Sequence, residues 1–156
     1  MNQQQVNFLK NDLIFHLKHL APDAKGQWGK MDGQQMVEHL AMMVQVANGR
    51  KQLPSLPADK SRLEKAHAWL MTDKPFRENT INPLLPEEPV PTEHNTMQLA
   101  IEALQKELDH FFEVYAATPG LRIVNPIFGN LNFDEQLQLL YKHTQHHLRQ
   151  FGLLAA

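Results

Sequence analysis

Residues 132–152 of this 156-residue chain read NFDEQLQLLYKHTQHHLRQFG, and this stretch gives the clearest indication of the fold. Its apolar residues recur three and four positions apart, which is the periodicity of an amphipathic helix. Asn132 is a favourable N-cap, Glu135 stands at the capping-box position, and Gly152 suits the end of a helix. The pattern predicts a helix over residues 133–151. Its buried face carries Phe133, Leu137, Leu140, Thr144, His147 and Phe151.

Three earlier segments show the same periodicity and predict helices over residues 3–20, 33–48 and 95–117. The second has Asp32 as a plausible N-cap and Gly49 at its end. The predicted stripes are Val6, Leu9, Leu13, Leu17 and Leu20; Met36, Leu40, Met43 and Ala47; and Met97, Ile101, Leu104, Leu108, Phe111 and Tyr115.

A long connection, about residues 50–94, separates the second and third of these helices and contains seven of the ten prolines. A short helix is predicted within it over residues 59–71, and a second loop over residues 119–131. No alternating strand pattern is found, so we predict an all-α fold: a four-helix bundle with long crossover loops, forming one domain over residues 1–156. The rest of the long connection should be ordered, because it holds Trp69, Phe76, Ile81, Leu84 and Leu85.

Composition excludes several classes of function. The formal net charge is -2, so neither nucleic acid nor an anionic membrane is an expected partner. Cysteine is absent, which excludes disulfides, thiolate nucleophiles and cysteine-ligated metal sites. The first residues lack the pattern of a signal peptide, and no apolar run is long enough to span a bilayer. We therefore expect a cytoplasmic protein.

The chain has nine histidines, and two of them have the spacing of a metal-chelating pair. His143 and His147 are four residues apart, which places them about 40° apart on one helix face. His146 lies about 60° beyond His143, further from the apolar stripe. We therefore predict His143 and His147 as ligands and His146 as a bystander or an outer partner.

A third ligand must come from another helix, and His39 is the best candidate because it lies at the edge of a buried stripe. His16 has a similar edge position and competes with it. Three imidazoles with an open fourth position are typical of catalytic zinc sites, and nickel, iron or manganese also suit imidazole. A lone histidine at a core edge is more often a hydrogen-bonded polar group, so spacing alone leaves both interpretations open. The remaining histidines are predicted on the surface or in loops: His19, His67, His94 and His110.

Three stretches resemble one known family. Residues 28–40 (WGKMDGQQMVEHL) resemble the helix that carries the first histidine ligand of the DinB-like, or YfiT-like, metalloprotein superfamily. Residues 143–150 (HTQHHLRQ) resemble its last-helix signature, in which the first and fifth positions bind metal. Residues 125–131 (NPIFGNL) are similar to one uncharacterised branch. The resemblance covers essentially the whole chain in helix order and spacing, although Leu148-Arg149-Gln150 replaces the usual Arg-Gly-Gln continuation.

This resemblance implies a four-helix bundle, a divalent metal ion held by His39, His143 and His147, and often a homodimer. Zinc or nickel is the first expectation for the metal, with iron or manganese as alternatives. Characterised relatives include thiol-dependent S-transferases and isomerases that use low-molecular-weight thiols. The resemblance therefore points to a metal-dependent thiol S-transferase or a related metalloenzyme. The alternative is a stress-response or ligand-binding module without catalysis, whose metal is structural.

Other residues give weaker indications. Tyr141 and Gln150 are possible lining groups of the site, whereas Glu38 points about 100° away from its neighbour His39. Apolar residues outside the main stripes add to the expectation of a homodimer, although they could equally pack under the long loop: Phe8, Phe15 and Phe112. The ordinary histidine pKa near 6.5 predicts that metal affinity falls below about pH 6.

Overall fold

Helices make up most of the regular structure in the computed structural model, which describes residues 2–57, 59–80 and 82–155. The elements in chain order are α1 (Gln3–Asn7), a π-helical segment (Phe8–Asp12), α2 (Leu13–Leu17), α3 (Gly33–Asn48), α4 (Lys60–Leu70), α5 (Met97–Ala117), β1 (Ile123–Asn125), β2 (Gly129–Leu131) and α6 (Phe133–Gln150). Each helix predicted from the periodicity is present, and the fold is mainly helical with one small hairpin.

The N-terminal helix is continuous through α1, the π-helical segment and α2, but it is shorter than the predicted range 3–20. The π segment widens the helix, since the backbone N–H of Leu13 donates to the carbonyl of Phe8 five residues earlier. Regular helix ends at Leu17. A tighter turn follows, in which the N–H of Leu20 donates to the carbonyl of Leu17 at 3.0 Å. Leu20 is still buried, so its place in the stripe was predicted correctly although the helix end was not.

Reciprocal capping fixes where α3 and α6 begin. The Asp32 carboxylate accepts from the backbone N–H of Gln35 at 2.8 Å, and the Gln35 side chain accepts from Asp32 N–H at 2.9 Å. Asn132 and Glu135 make the same pair of bonds, both 2.9 Å long, at the start of α6. Gly49 ends α3 in the left-handed conformation, with φ of 88°. These local signals explain why the start of both helices could be predicted.

The remaining helix ends differ little from the prediction. Asp59 caps α4, which has the predicted position within one residue at each end. Thr96 caps α5, so this helix begins at Met97, two residues later than expected. α6 ends at Gln150, one residue before the predicted end.

The predicted absence of strands is wrong, because β1 and β2 form an antiparallel hairpin inside the 119–131 loop. The side-chain oxygen of Asn125 accepts from the backbone N–H groups of Ile127 and Phe128, at 2.8 and 3.0 Å, and so builds the turn. Gly129 follows with φ of 86°, which favours glycine. Each strand has only three residues, too few to show an alternating pattern in the sequence.

One apolar core is shared by the N-terminal helix, α3, α5 and α6. α3 packs most extensively against α5, α6 packs against α3 and the N-terminal helix, and α4 lies against α6. In the predicted stripes, Met43 and Met97 are only half-buried, and α3 instead buries Val37 and Val44. The largest fully buried side chains are Leu9, Leu13, Leu17, Met36, Leu40, Leu70, Leu104, Leu108, Phe111, Leu131, Leu137 and Leu148. No helix in the described ranges combines the length and apolar character needed to cross a membrane.

The apolar residues of the long connection that were predicted to be sheltered are partly so, whereas Met71 and Val90 in the same connection are exposed. Of the residues predicted to be sheltered, those that the structure describes are half-buried: Trp69, Phe76, Leu84 and Leu85. Ile81 lies outside the described residues.

The three phenylalanines that lie outside the stripes have different surroundings. Phe8 is buried, with its ring edge-on to Tyr141 at 5.3 Å between centroids. Phe112 is half-buried and contacts the ring of Phe111. Phe15 is 63% exposed, so it alone of the three remains available to a partner.

Candidate metal centre

Two helices bring the predicted ligands together. His39 lies in the middle of α3, and His143 and His147 lie one turn apart near the end of α6. Because α3 and α6 pack against each other, residues about a hundred positions apart in sequence meet at one point. The pair spacing and the choice of His39 agree with this placement.

The three imidazoles converge through their Nε2 atoms. The Nε2 of His143 lies 3.2 Å from that of His39 and 2.9 Å from that of His147. All three rings also contact one another edge to face, with centroids 4.6 to 5.0 Å apart. Among the described residues, these three histidines form the group of potential metal ligands whose donor atoms lie close enough to share one ion.

This donor set fits a first-row divalent ion. A tetrahedral ion with nitrogen ligands at 2.0–2.1 Å requires its ligand atoms to be about 3.3–3.4 Å apart. The two Nε2 separations are slightly shorter than that, so the side chains need only a small adjustment to accept an ion.

The three candidate ligands differ in exposure. His39 and His143 are half-buried, whereas His147 is only 6% exposed. Within the described residues the cluster contains three ligands and no fourth His, Cys, Asp or Glu. An ion held here would keep a coordination position for water or a substrate, as catalytic sites do.

Burial keeps the cluster uncharged near neutral pH. It lowers the pKa of His39 to about 4, with a smaller contribution from His146. Burial, followed by the proximity of the other imidazoles, also holds the pKa values of His143 and His147 well below their ordinary range. All three rings are therefore neutral at pH 7, which is the protonation state that metal binding requires.

The ring of His147 is held from behind by Gln150. The Nδ1–H of His147 donates to Oε1 of Gln150 at 2.7 Å, and both side chains are buried. The Nε2 of Gln150 donates in turn to the backbone carbonyl of Trp28 at 2.9 Å. The expectation that Gln150 lines the site therefore agrees with the structure, and the loop before α3 contributes to the same arrangement.

His146 and His16 are not part of the ligand group. The ring of His146 lies between two aromatic rings, 5.4 Å from Trp28 and 5.8 Å from Phe76. It also contacts the ring of His147 at 5.0 Å by ring packing, so it lies beside the three-histidine group and outside it. The suggestion that His16 competes as a ligand is wrong in this structure, since its ring is T-shaped against Phe15 and lies outside the cluster.

The segment after α4 covers the site from the side of His143. Phe76 contacts the ring of His143 at 5.7 Å between centroids and packs edge-on against Trp69 at 4.8 Å. Lys142 holds this segment in place: its buried Nζ donates to the carbonyls of Trp69 and Thr72, at 3.1 and 2.9 Å, and lies 3.8 Å from the Trp69 ring. The long connection is thus fastened to α6 one residue before a candidate ligand.

Tyr141, the other proposed lining residue, and Glu38 are both engaged elsewhere. The carboxylate of Glu38 accepts from the backbone N–H groups of Glu93 and His94, at 2.7 and 3.3 Å, and anchors the end of the long connection. Tyr141 packs against Phe8. Neither geometry gives the site a general base.

Sequence reasoning missed Trp28, Phe76 and Lys142. The apolar character of Phe76 did predict an ordered loop, but no spacing rule places a loop residue against a particular helix. Lys142 reads as an ordinary exposed lysine on a polar helix face, and only its carbonyl acceptors on α4 reveal that it is buried.

Comparison with protein-family models, curated proteins and solved structures finds no match to this chain. The resemblance to the DinB-like superfamily therefore stays a prediction. The site has to be interpreted from its own geometry.

Proposed function

We propose that this chain is a metalloprotein of the DinB-like type, a four-helix bundle that binds one divalent ion through His39, His143 and His147. The observation that carries the proposal is the convergence of three neutral Nε2 atoms on one point between α3 and α6. The core shared by the N-terminal helix, α3, α5 and α6 supports the bundle architecture. We also propose a cytoplasmic location, as the sequence predicts.

Zinc or nickel suits the donor set best, with iron or manganese as alternatives, because imidazole is a ligand of intermediate softness. A divalent ion in such a site supplies Lewis-acid chemistry at its remaining coordination positions. The protein's own residues hold the three nitrogens in place, keep them unprotonated and place the ring of Phe76 against His143.

We propose further that the site is catalytic and acts on a low-molecular-weight thiol, as a metal-dependent S-transferase or a related enzyme. The three-ligand group supports this, because a purely structural zinc site is normally closed by four protein ligands. The chain has no cysteine, so the reacting sulfur has to belong to the substrate. Non-catalytic binding, with a metal that only stabilises the fold, is the alternative outcome.

Elemental analysis of protein purified without a histidine tag tests the first step. We expect about one divalent ion per chain, since the structure provides one three-histidine group in its described residues. A screen with small thiols and electrophilic acceptors then tests the second step, with chelated protein as its control. Metal-dependent turnover supports the enzyme, whereas full metal occupancy without turnover of any thiol supports the non-catalytic alternative. A protein that takes up no metal from zinc- or nickel-containing buffer contradicts the whole proposal.

We also propose that the protein forms a homodimer. Phe15 is the proposed contact residue, because its apolar ring is 63% exposed and its burial in a dimer would remove apolar surface from water. Sedimentation velocity at micromolar concentration should show a dimer, and Phe15→Ser should shift the population towards monomer. A monomer for the unaltered chain at that concentration contradicts the proposal.

A further inference from the structure

We propose that Gln150 is a positioning residue for His147 and that the loop of residues 26–29 fixes it, so that this loop helps to set the metal affinity. The effect on metal affinity rests on the proposed function, whereas the hydrogen bonds of Gln150 do not depend on a bound ion. It concerns groups that bind no metal themselves.

The first step is the tautomer of His147. A neutral imidazole carries one N–H, and the hydrogen bond made by one ring nitrogen decides which nitrogen carries it. Oε1 of Gln150 can only accept, so the 2.7 Å contact places the proton on Nδ1 of His147. The lone pair then lies on Nε2, which is the atom that faces His143. Gln150 thus presents His147 to the cluster as a ready ligand.

The second step is what fixes the Gln150 amide. An amide can turn over and exchange its oxygen and nitrogen, and the opposite orientation would place NH₂ against His147. The carbonyl of Trp28 prevents this, because it accepts from Nε2 of Gln150 at 2.9 Å and would repel an oxygen in that position. The backbone carbonyl of Gln150 also accepts from the N–H of Gln27 at 2.7 Å, so the loop is bonded to both ends of this residue.

The third step is the close approach that two glycines allow. A Cβ at Gly29 would lie 2.7 Å from Nε2 of Gln150, and one at Gly26 would lie 3.0 Å from Cγ of Gln150. Gly29 also has φ of 80°, a conformation that favours glycine. The loop can therefore contact the Gln150 amide only because these positions lack side chains.

A direct test examines His147 in protein freed of metal by a chelator. Long-range proton–nitrogen correlation NMR should show His147 with its proton on Nδ1 in the unaltered chain. In Gln150→Leu the acceptor is lost, and we expect the proton to redistribute to Nε2. Gln145→Leu is the matched control, because Gln145 lies on the same helix and, among the described residues, its side chain bonds to Arg149 at 3.5 Å and not to His147. It should leave His147 unchanged. A proton on Nε2 of His147 in the unaltered chain overturns the inference, whether or not the protein binds metal.

A second test measures zinc affinity. Loss of an outer partner of a ligating histidine weakens metal binding by about 10–100-fold, so we expect that loss for Gln150→Leu and less than about threefold for Gln145→Leu. If the unaltered chain binds zinc and Gln150→Leu binds it equally well, the inference is wrong while the proposed function stands. If the unaltered chain binds no zinc, the proposed function fails, and the NMR result alone decides the tautomer.

The contribution of the loop is tested by a pair of glycine substitutions. Gly29→Ala and Gly120→Ala impose the same backbone strain, since their φ angles are 80° and 79°. A Cβ at Gly120 meets nothing within 4 Å in the described part of the chain, whereas one at Gly29 displaces the Gln150 amide. Both metal-free variants should melt at lower temperature than the unaltered chain, Gly29→Ala the more so because it also displaces a buried amide. Only Gly29→Ala should bind zinc about tenfold more weakly. Equal zinc affinities for the two variants contradict a role for the loop.

Discussion

Replacing His143 by alanine should abolish tight metal binding, with affinity for zinc or nickel falling by more than about 100-fold. Loss of an outer partner alone costs about 10–100-fold, and loss of a ligand must cost more. His143 lies at the centre of the group, because its Nε2 is 3.2 Å from that of His39 and 2.9 Å from that of His147. Competition titration with a chromophoric chelator at neutral pH measures the effect, and His39→Ala and His147→Ala should behave in the same way.

The neighbouring histidines provide the controls. His146→Ala leaves the three ligand atoms intact, so its metal affinity should fall by less than about tenfold, although removal of a ring between Trp28 and Phe76 will lower stability. His16→Ala should bind metal like the unaltered chain, because His16 lies outside the cluster. A His146→Ala variant that loses the metal, together with a His143→Ala variant that keeps it, would show that the helical phase was assigned wrongly.

The three clustered histidines could be predicted in part because the signals for the pair and for the helix starts are each local to one helix. The angle between His143 and His147 follows from helix geometry alone, and the caps at Asp32 and Asn132 fix where each helix begins. The meeting of His39 with the other two needed one more assumption, that both helices turn their apolar faces to a common core. The resemblance to a known superfamily supplied the choice between His39 and His16.

The surroundings of the cluster could not be predicted, because they depend on contacts between distant parts of the chain. Trp28 bonds to Gln150 across 122 positions, and Lys142 bonds to Trp69 across 73. Such contacts depend on how loops settle on the packed helices, and the loop sequences carry no periodicity that would reveal it. The π-helical segment could not be predicted either, because the sequence of residues 8–12 shows an ordinary helical pattern.

Removing the metal should destabilise the protein at neutral pH and down to about pH 5. An ion that binds only the folded state stabilises it by about 4 kcal/mol when its free concentration is 1,000 times the Kd. The ordinary histidine pKa predicted that metal affinity falls below about pH 6 and that this difference shrinks near pH 5. The structure lowers the pH at which protons are expected to displace the metal. Burial lowers the pKa of His39 to about 4 and holds those of His143 and His147 well below their ordinary range. Protons should therefore compete with the metal only as the pH approaches 4.

The metal-free protein should itself lose stability in acid. Between pH 6.5 and about 4 the unfolded chain binds a proton at His39 that the folded chain does not, so the free energy of unfolding decreases as the pH falls. For His39 alone the loss by pH 4 is about 3 kcal/mol. His39→Asn removes a metal ligand and a buried titratable group. Its free energy of unfolding should not change with chelator and should decrease less steeply as the pH falls.

Urea unfolding at pH 7, 6, 5 and 4, with zinc and with a strong chelator, separates the two contributions. The free energy of unfolding is plotted against pH for each condition. The difference between the zinc and chelator plots measures the stabilisation by the metal, and the slope of the chelator plot measures proton uptake by the buried histidines on unfolding. Curves that already coincide at pH 6 would mean that the site histidines titrate as they do in water, and would contradict the buried cluster. A difference that persists at pH 5 and closes near pH 4 is the result expected of three neutral imidazoles held together between α3 and α6.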